Sequence, residues 1–194
     1  MANSPERAWL SAELLRGIAH PLRVRLLNLL RDDGPSTATR LAEKVGQSSG
    51  ATSYHLRQLA AYGFVEEDPE RAAGRERWWR AVHRSTALDA DHIRESPAEA
   101  ETYMRAVAAE YAARVDRWLG ELHQLTADWD DAATLSDYKL RLTPQEGTSL
   151  LTDLESVVRR YRRDEPDDPA VADGAARVVV QLAVMPFPTA EADQ

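Results

Sequence analysis

Two short amphipathic helical patterns meet at a glycine turn within residues 38–61, and they limit the fold more than any other part of the chain. In the first pattern, TRLAEKVG, Leu41 and Val45 lie on the apolar face and Gly46 ends the helix. The second follows GQSS, takes Ser48 as its N-cap and continues as SGATSYHLRQLAAYG. Two helices joined by about four residues that include a glycine are typical of a helix-turn-helix motif.

The flanking segments extend this motif to a winged helix. HPLRVRLLNLLRDDG predicts a helix that begins after His20 and ends at Gly34, and an earlier helical pattern runs over residues 10–18. After the motif, FVEEDPERAAGRERWWRAV alternates apolar and polar residues at both ends, around a tip that contains Pro, Gly and Arg. This pattern predicts a hairpin, and a hairpin directly after the second helix is a wing.

The second helix of the motif opens with residues that fill little space, Ser49, Gly50 and Ala51. In a helix-turn-helix the first residues of this helix approach base edges in the major groove, so bulky side chains would hold the backbone away. Free backbone N–H groups at the same end, with the helix dipole behind them, attract phosphate. An ordinary capped core helix with a polar face stays open as the alternative.

Helical spacing divides this second helix into two faces. Thr52, Leu56 and Leu59 form the inward stripe. The outward face carries polar side chains that can reach bases or the DNA backbone: Ser53, Tyr54, Arg57 and Gln58.

Four stretches, HPLRVRLLNLL, TRLAEKVG, SSGATSYHLRQLAAYGFVEE and GRERWWRAV, together resemble the ArsR-type winged-helix transcriptional regulators over roughly residues 8–85. The most specific part of the resemblance is the run Ser53, His55, Leu56 and Leu59, followed by Gly63-Phe64-Val65. The resemblance implies a homodimer that binds an operator in double-stranded DNA, often as a repressor.

The same resemblance implies that Ser49, Gly50, Ser53, Tyr54 and Arg57 of the second helix face the groove, with Arg75 and Arg77 on the wing near phosphate or the minor groove. From their places on the second helix we add Ser48 and Gln58 to the predicted DNA contacts. Arg23 and Arg25, beside the first turns of their own helix, are predicted phosphate contacts. Two roles stay open for His55, which are packing with a backbone or phosphate hydrogen bond, and direct base reading. Arg23 and Arg25 could each pair with a nearby acid instead.

The chain contains no Cys, whereas many ArsR-type regulators sense metals through Cys pairs. Cysteine nucleophiles, zinc ribbons, disulfides and thiol-based sensors are therefore excluded. A site made of Asp89, Asp91 and His92, with His123, stays open because imidazole and carboxylate bind Zn or Ni. Their spacing matches no recognised ligand set, and surface or capping roles explain them equally well, so we predict no metal and no cofactor.

Charge is distributed unevenly along the chain. Its net charge is −8; residues 1–92 carry 13 Lys and Arg against 12 Asp and Glu, and residues 93–194 carry 11 against 20. We expect the acidic second half to weaken non-specific DNA binding by repelling phosphate, over about one Debye length, roughly 10 Å.

Several other functional classes find no support in the sequence. The N-terminal MANSPERAWLSAELL lacks a basic and then apolar leader, and no segment approaches the roughly 20 apolar residues of a membrane span, so we expect a cytoplasmic protein with no membrane partner. We also find no glycine-rich phosphate loop, nucleophile motif or Ser-His-acid pattern, and we predict that the protein is not an enzyme.

Apolar residues recur at helical spacing from Pro97 to about Thr126. A helix of about 30 residues spans roughly 45 Å, more than a small domain needs for its own core. We predict that this helix holds a dimer together, through Met104, Val107, Tyr111, Val115, Trp118 and Leu122. Packing solely within the chain stays open, as does a ligand pocket lined by Tyr111 and Trp118.

The last part of the chain predicts a strand, a helix and a second strand. Tyr138, Leu140 and Leu142 alternate as in a strand, and the following TPQE combines a capping box with proline at the first helical position. The helix is expected to run to about Arg163, and ARVVVQLAVMPF to form the second strand. Two strands and one helix do not easily stand alone in water, so we expect this unit to pack on the long helix, on the winged domain or against its copy.

These patterns predict an α+β, mainly helical protein in three parts: a winged helix-turn-helix domain over residues 1–92, a long dimerisation helix over 93–127, and a small β-α-β module over 128–194. The predicted function is a sequence-specific DNA-binding regulator, a dimeric repressor that reads an inverted repeat. An unknown small-molecule effector stays open as a further partner of the C-terminal module. The alternatives are an interaction or effector-sensing adaptor with degenerate DNA binding, and a His/Asp metal-responsive regulator.

Overall fold

The computed structural model describes residues 7–71, 76–88, 90–161 and 175–187. They belong to two compact units, Met1–Leu122 and His123–Gln194, which are described separately and called unit 1 and unit 2. Helices predominate and the strands are short, which confirms the predicted α+β, mainly helical class. Within the described residues, no helix has both the length and the apolar composition needed to cross a bilayer.

Unit 1 is built from six helices and five short strands in its described residues. In chain order these are β1 (Arg7–Trp9), α1 (Ala12–Ile18), α2 (Pro21–Asp32), β2 (Ser36–Thr37), α3 (Ala38–Val45), α4 (Ser49–Ala61), β3 (Val65–Glu67), β4 (Trp78–Ala81), β5 (Ser85–Ala87), α5 (Ala90–Glu95) and α6 (Pro97–Glu121). Single 3-10 turns occupy Pro69–Arg71 and Leu122–Gln124.

The core of unit 1 is formed by the apolar stripes that helical periodicity predicts. Leu15 of α1, Leu27 of α2, Leu41 of α3 and Leu56 of α4 are each no more than 1% exposed and belong to one cluster, together with Phe64. Each helix therefore buries the face that its sequence makes apolar, and this confirms the predicted inward stripes.

The turn between α3 and α4 has the geometry that its sequence favours. Gly46 lies in the left-handed region with a φ of 66°, and its N–H donates to carbonyl groups of the last turn of α3. A residue with a side chain adopts this conformation only at an energetic cost, which is why glycine ends the helix here.

The wing is present as a three-stranded sheet with the strand order β2-β4-β3. Strands β3 and β4 are antiparallel and pair Val65 with Ala81, and β2 adds its two residues to the other edge of β4. The predicted hairpin is thus confirmed. A second, parallel pair joins β1 to β5, and the sequence patterns did not predict it.

The long helix α6 differs from its prediction. It has 25 residues rather than about 30, and its first turns pack within the chain, because Ala100, Tyr103 and Ala106 are buried in the core of unit 1. The Tyr103 hydroxyl also lies 2.5 Å from Oγ1 of Thr86 on β5. Val107, predicted at a dimer interface, packs against the same core. Val107 is only half-buried there, so its place at a dimer interface stays a prediction.

In its described residues, unit 2 contains one α-helix, α7 (Pro144–Val158), and a 3-10 turn at Ala127–Trp129; the predicted capping box is confirmed. Oγ1 of Thr143 accepts from the backbone N–H of Glu146 (3.3 Å), and the Glu146 carboxylate accepts from the backbone N–H of Thr143 (2.7 Å). The strands predicted on either side do not form within the described chain: residues 138–142 and 175–187 contain no strand. Strand propensity alone does not form a ladder, which needs a second strand to supply the hydrogen bonds.

We expect Gly17→Ala to lower the free energy of unfolding by about 1–2 kcal/mol, although alanine favours helices more than glycine does. A Cβ atom at Gly17 would lie 2.7 Å from Cδ1 and 2.8 Å from Cβ of Tyr62. Urea unfolding followed by tryptophan fluorescence measures the loss. Gly50→Ala is the matched control, because a Cβ there meets nothing within 4 Å; equal effects of the two substitutions would contradict the packing explanation.

Candidate nucleic-acid interface

The N-terminal turn of α4 is open and free of bulk. Oγ of Ser48 accepts a hydrogen bond from the backbone N–H of Ala51 (3.2 Å), which confirms the predicted N-cap. Ser48, Ser49 and Gly50 are all exposed. Another molecule can therefore approach the backbone closely at this end of α4, where the positive pole of the helix dipole lies.

The two faces of α4 are divided as the sequence predicts. Thr52, Leu56 and Leu59 are fully buried. On the opposite face, Tyr54 is 54% exposed and Arg57 is exposed, and Arg57 makes no ion pair with a described residue. Ser53 and Gln58 are half-buried on the flanks of this face. The burial of the inward stripe therefore fixes which side chains α4 presents.

A cleft of about 340 Å³ runs between α4, the start of α3 and the wing. It is lined by Thr37, Thr39, Ser53, Arg57, Glu76, Arg77 and Trp79. The cleft brings the predicted residues Ser53 and Arg57 of α4 together with Arg77 beside the wing. Two arginines and several hydroxyl groups give this surface donors for an anionic ligand, opposed by the single carboxylate of Glu76.

The wing arginines are already paired with acids of the same hairpin. Nε of Arg77 lies 3.2 Å from the Glu67 carboxylate, and Nη2 of Arg80 lies 2.8 Å from that of Glu66. The predicted residue Arg75 lies outside the described residues. Exposed pairs of this kind contribute about 0–1 kcal/mol, so a phosphate can replace the carboxylate at little cost.

Sequence reasoning missed one cation on this surface. Arg40 of α3 places its guanidinium 4.9 Å from the ring centre of Trp78, and Arg71 lies 5.4 Å from the same ring. The helical pattern already put Arg40 opposite the inward residues of α3, so its outward position was available from the sequence. Its place beside the wing was not, because that depends on the pairing of β2 with β4.

Two imidazole rings meet at the junction of α2 and α4. The ring centres of His20 and His55 are 4.5 Å apart. Nδ1 of His20 accepts from the backbone N–H of Leu22 (3.1 Å) and so caps α2. Burial lowers the pKa of His55, and the nearby His20 and Arg23 lower it further. Burial and Arg23 likewise lower the pKa of His20. The charged form of both rings is therefore disfavoured.

Arg23 and Arg25 are each engaged within unit 1. Nη1 of Arg23 donates to the carbonyl groups of Gly17 (2.6 Å) and Arg16 (3.3 Å), at the C-terminal end of α1. Arg25 forms an ion pair with Glu110 at 3.7 Å. The Arg23 guanidinium thus stabilises the negative end of the α1 dipole, a role that was not predicted for it.

One family comparison agrees with this geometry. The family described as "Helix-turn-helix domain" matches residues 18–68, which cover α2 to α4 and the first strand of the wing. The chain contains a helix-turn-helix domain. A search of the curated proteins finds no match.

The chain is also similar to several solved structures, including the following three. The transcriptional regulator Tm0710 from Thermotoga maritima is 17% identical, with 76% of this chain and 82% of that chain covered and a TM-score of 0.32. RV1404 from Mycobacterium tuberculosis is 16% identical, with 76% and 84% covered and a TM-score of 0.30. Lactococcus lactis ZitR, as an apo C30AH42A mutant, is 15% identical, with 77% and 88% covered and a TM-score of 0.29. Superpositions this loose assign no residue roles.

The His/Asp metal site finds no geometric support in the part of the chain that the structure describes. No group of three or more His, Asp or Glu side chains there is placed to hold a metal ion. Asp89 lies outside the described residues, and the Asp91 carboxylate is bound by Arg94 at 2.8 Å.

We expect the stability of the helix-turn-helix protein to fall with acidification below pH 6.5. The folded-state pKa values of His20 and His55 lie below their ordinary value of 6.5. The stability that their neutral forms contribute is therefore complete above pH 6.5 and is lost as the pH falls through the folded-state values. Urea unfolding at a series of pH values measures this slope. His20→Asn keeps a capping acceptor but removes one titrating ring, and we expect a shallower slope; an unchanged slope would contradict the histidine explanation.

Proposed function

We propose that the protein is a sequence-specific DNA-binding transcriptional regulator, acting as a homodimeric repressor that reads an inverted repeat through α4 and the wing. One observation carries the proposal: α4 presents an exposed N-terminal turn without bulk, while its opposite face is fully buried within the matched helix-turn-helix domain. That combination allows the backbone of α4 to approach base edges while the domain stays rigid.

Contacts at this surface divide into two kinds. Ser49, Gly50, Ser53 and Tyr54 lie on the first turns of α4, where side chains reach base edges and contribute sequence preference. Arg57, Arg77 and Arg40 surround the cleft or the wing beside it, where guanidinium groups bind phosphate and contribute affinity that falls with salt. His55 is half-buried against His20, a setting that favours a packing role over direct base reading.

The proposed homodimer uses α6 from Met104 onward, together with Leu122 just after it. Met104, Leu119 and Leu122 are 45%, 48% and 40% exposed, and Tyr111, Val115 and Trp118 are half-buried on the same side. The positions 104, 108, 111, 115, 118 and 122 alternate spacings of four and three residues, the repeat that packs one helix on another. A twofold pair would place two copies of α4 about 34 Å apart, or at a multiple of that distance, on one face of the duplex.

The repressor role is supported by the resemblance of residues 8–85 to ArsR-type regulators. Binding of a dimer to an operator blocks other proteins from the same duplex, and this requires no catalytic group. An effector that changes the spacing of the two α4 helices would release the operator, because both half-sites are then no longer reached together.

The experiment that tests the proposal is selection of binding sites from random duplex DNA by the full-length protein. The selected site is then titrated against a scrambled site at two salt concentrations, and the number of chains per duplex is measured. We expect a palindromic site, a large ratio of specific to non-specific affinity, a steep salt dependence and two chains per duplex. Weak binding that ignores sequence would overturn the proposal.

A second candidate function is a protein-interaction or effector-sensing adaptor whose winged helix no longer binds DNA. The ion pairs of Arg77 with Glu67 and of Arg80 with Glu66 favour it, since they neutralise the wing in the absence of DNA. The salt titration separates the two candidates, because an adaptor shows no salt-dependent affinity for duplex DNA.

We expect Arg57→Ala to weaken operator binding by about 1–3 kcal/mol, or roughly 5- to 150-fold, because it removes an unpaired cation from the exposed face of α4. Fluorescence anisotropy with the selected duplex measures the change. Arg105→Ala is the matched control: it removes the same charge from α6, where Arg105 pairs with Glu101, and its affinity is expected to equal that of the wild type. Equal losses in both variants would mean that only total charge matters.

A further inference from the structure

Unit 2 leaves most of its large apolar side chains uncovered. The described residues of the chain contain nineteen exposed large apolar side chains, and fifteen of them lie in unit 2. Tyr138 and Phe187 are 83% and 81% exposed, and no described residue of unit 2 is buried. A segment of this composition is stable in water only when another surface covers it.

Twelve of these fifteen side chains lie in three segments, which are residues 138–142, the helix α7, and residues 175–187. In the first, apolar residues alternate with Lys139 and Arg141, and the third contains the run Val178-Val179-Val180. Both extended segments have the composition of strands, yet neither forms a ladder in the described chain. Unit 2 therefore contains the parts of a sheet with a helical cover, but too few of them to close a core.

Charge is divided between these segments in a complementary way. The two extended segments carry three cations, Lys139, Arg141 and Arg177, and no acid. The helix α7 carries three acids, Glu146, Asp153 and Glu155, and no Lys or Arg within its bounds. Arg159 at its C-cap binds Glu155 at 2.5 Å, and Glu146 closes the capping box, so the net charge of this region stays negative. An extended segment of one chain thus matches α7 of another in charge as well as in apolar character.

We propose that unit 2 is a self-association module whose apolar surface is covered by unit 2 of a second copy of this chain, with the extended segments pairing between subunits into one sheet that the two α7 helices cover. Two copies supply four strands and two helices, which satisfies the minimum for a stable sheet that one copy does not reach. A twofold axis makes this arrangement self-limiting, since each copy offers the same segments to the other.

The available area fits this occupant. The fifteen side chains are exposed by 39% to 83%, and together they present on the order of 900 Å² of apolar surface. A stable pair of proteins buries about 800 Å² on each partner. One copy of unit 2 has too few strands to close a core, but a second copy supplies further strands and segments of opposite charge. A second copy is therefore sufficient to cover it. This pairing does not depend on DNA binding.

Hydrogen exchange of the full-length protein tests the pairing, at concentrations above and below the dimer dissociation constant obtained by sedimentation. We expect the amides of residues 138–142 and 178–184 to be protected by about 100-fold at high concentration, and to lose this protection on dilution in step with dissociation. The amides of α4 stay protected at both concentrations and show that unit 1 remains folded.

Val180→Asp places a charge within the Val run at a position that is 58% exposed in the chain, so the substitution buries no charge within one subunit. We expect it to remove the protection of residues 138–142 and to weaken dimerisation by at least about tenfold. Ala132→Asp is the matched control, since it adds the same charge to an exposed residue of unit 2 outside the two extended segments and α7, and it should leave both readouts unchanged.

Three results would overturn the proposal. Rapid exchange of both segments at every concentration would mean that they are unpaired. Protection that persists at concentrations where the protein is monomeric would mean that they pair within one chain. A dimer that forms without protecting either segment would be held elsewhere, such as along α6. Operator affinity is measured separately, so failure of DNA binding leaves this result intact.

Discussion

The burial of Thr52, Leu56 and Leu59 is the constraint on which the rest of unit 1 depends. Leu56 and Leu59 belong to the cluster formed with α1, α2 and α3, and Thr52 on the same face is fully buried. Their burial fixes the rotation of α4 about its own axis. The exposed turn from Ser48 to Gly50, the outward Arg57 and the cleft beside the wing all follow from that rotation. A packed core is about as dense as a molecular crystal, so its side chains hold α4 in one orientation. A small rearrangement of the core would rotate α4 and shift every side chain on its outward face. The positions of the interface residues are therefore as well defined as those of the core.

Charged groups change the electrostatic potential of this surface, whereas core packing determines its shape. The imidazoles of His20 and His55 lie where α2 begins and α4 passes, with Arg23 close to both. Three basic groups share this site, and the guanidinium helps to lower the pKa of both rings. On the wing, acids of β3 hold Arg77 and Arg80 in place. These pairs keep long side chains ordered before a ligand arrives, at the cost of a reduced positive potential. A surface of this kind associates more slowly with a polyanion than an unpaired one does, but it discriminates better between partners.

Much of unit 1 could be predicted from the sequence because its elements are local. Helical periodicity located α1 to α4, glycine and capping residues located their ends, and strand alternation located the wing. The parts that were missed depend on contacts between distant residues. The pairing of β1 with β5 joins segments about eighty residues apart and three residues long. His20 and His55 meet only in the folded domain, and Tyr103 of α6 reaches Thr86 of β5 only there. In unit 2 the two extended segments have the alternating or β-branched composition of strands, as predicted, but they form no strand in the described chain. A strand forms only when a neighbouring strand supplies its hydrogen bonds. For the interface itself, the residues of α4 were accessible to sequence reasoning, whereas the place of Arg40 was not.

The insertion of α6 into the core has a consequence for how the protein can be divided. Ala100, Tyr103 and Ala106 close the apolar side of the first two helices, so a fragment cut before α6 would expose that side to water and lose the contact between Tyr103 and Thr86. The smallest fragment able to fold as unit 1 folds therefore extends through the middle of α6. The later part of α6 is continuous with the turns that are buried in the core. A molecule that binds the later part therefore acts directly on the core through a continuous helix.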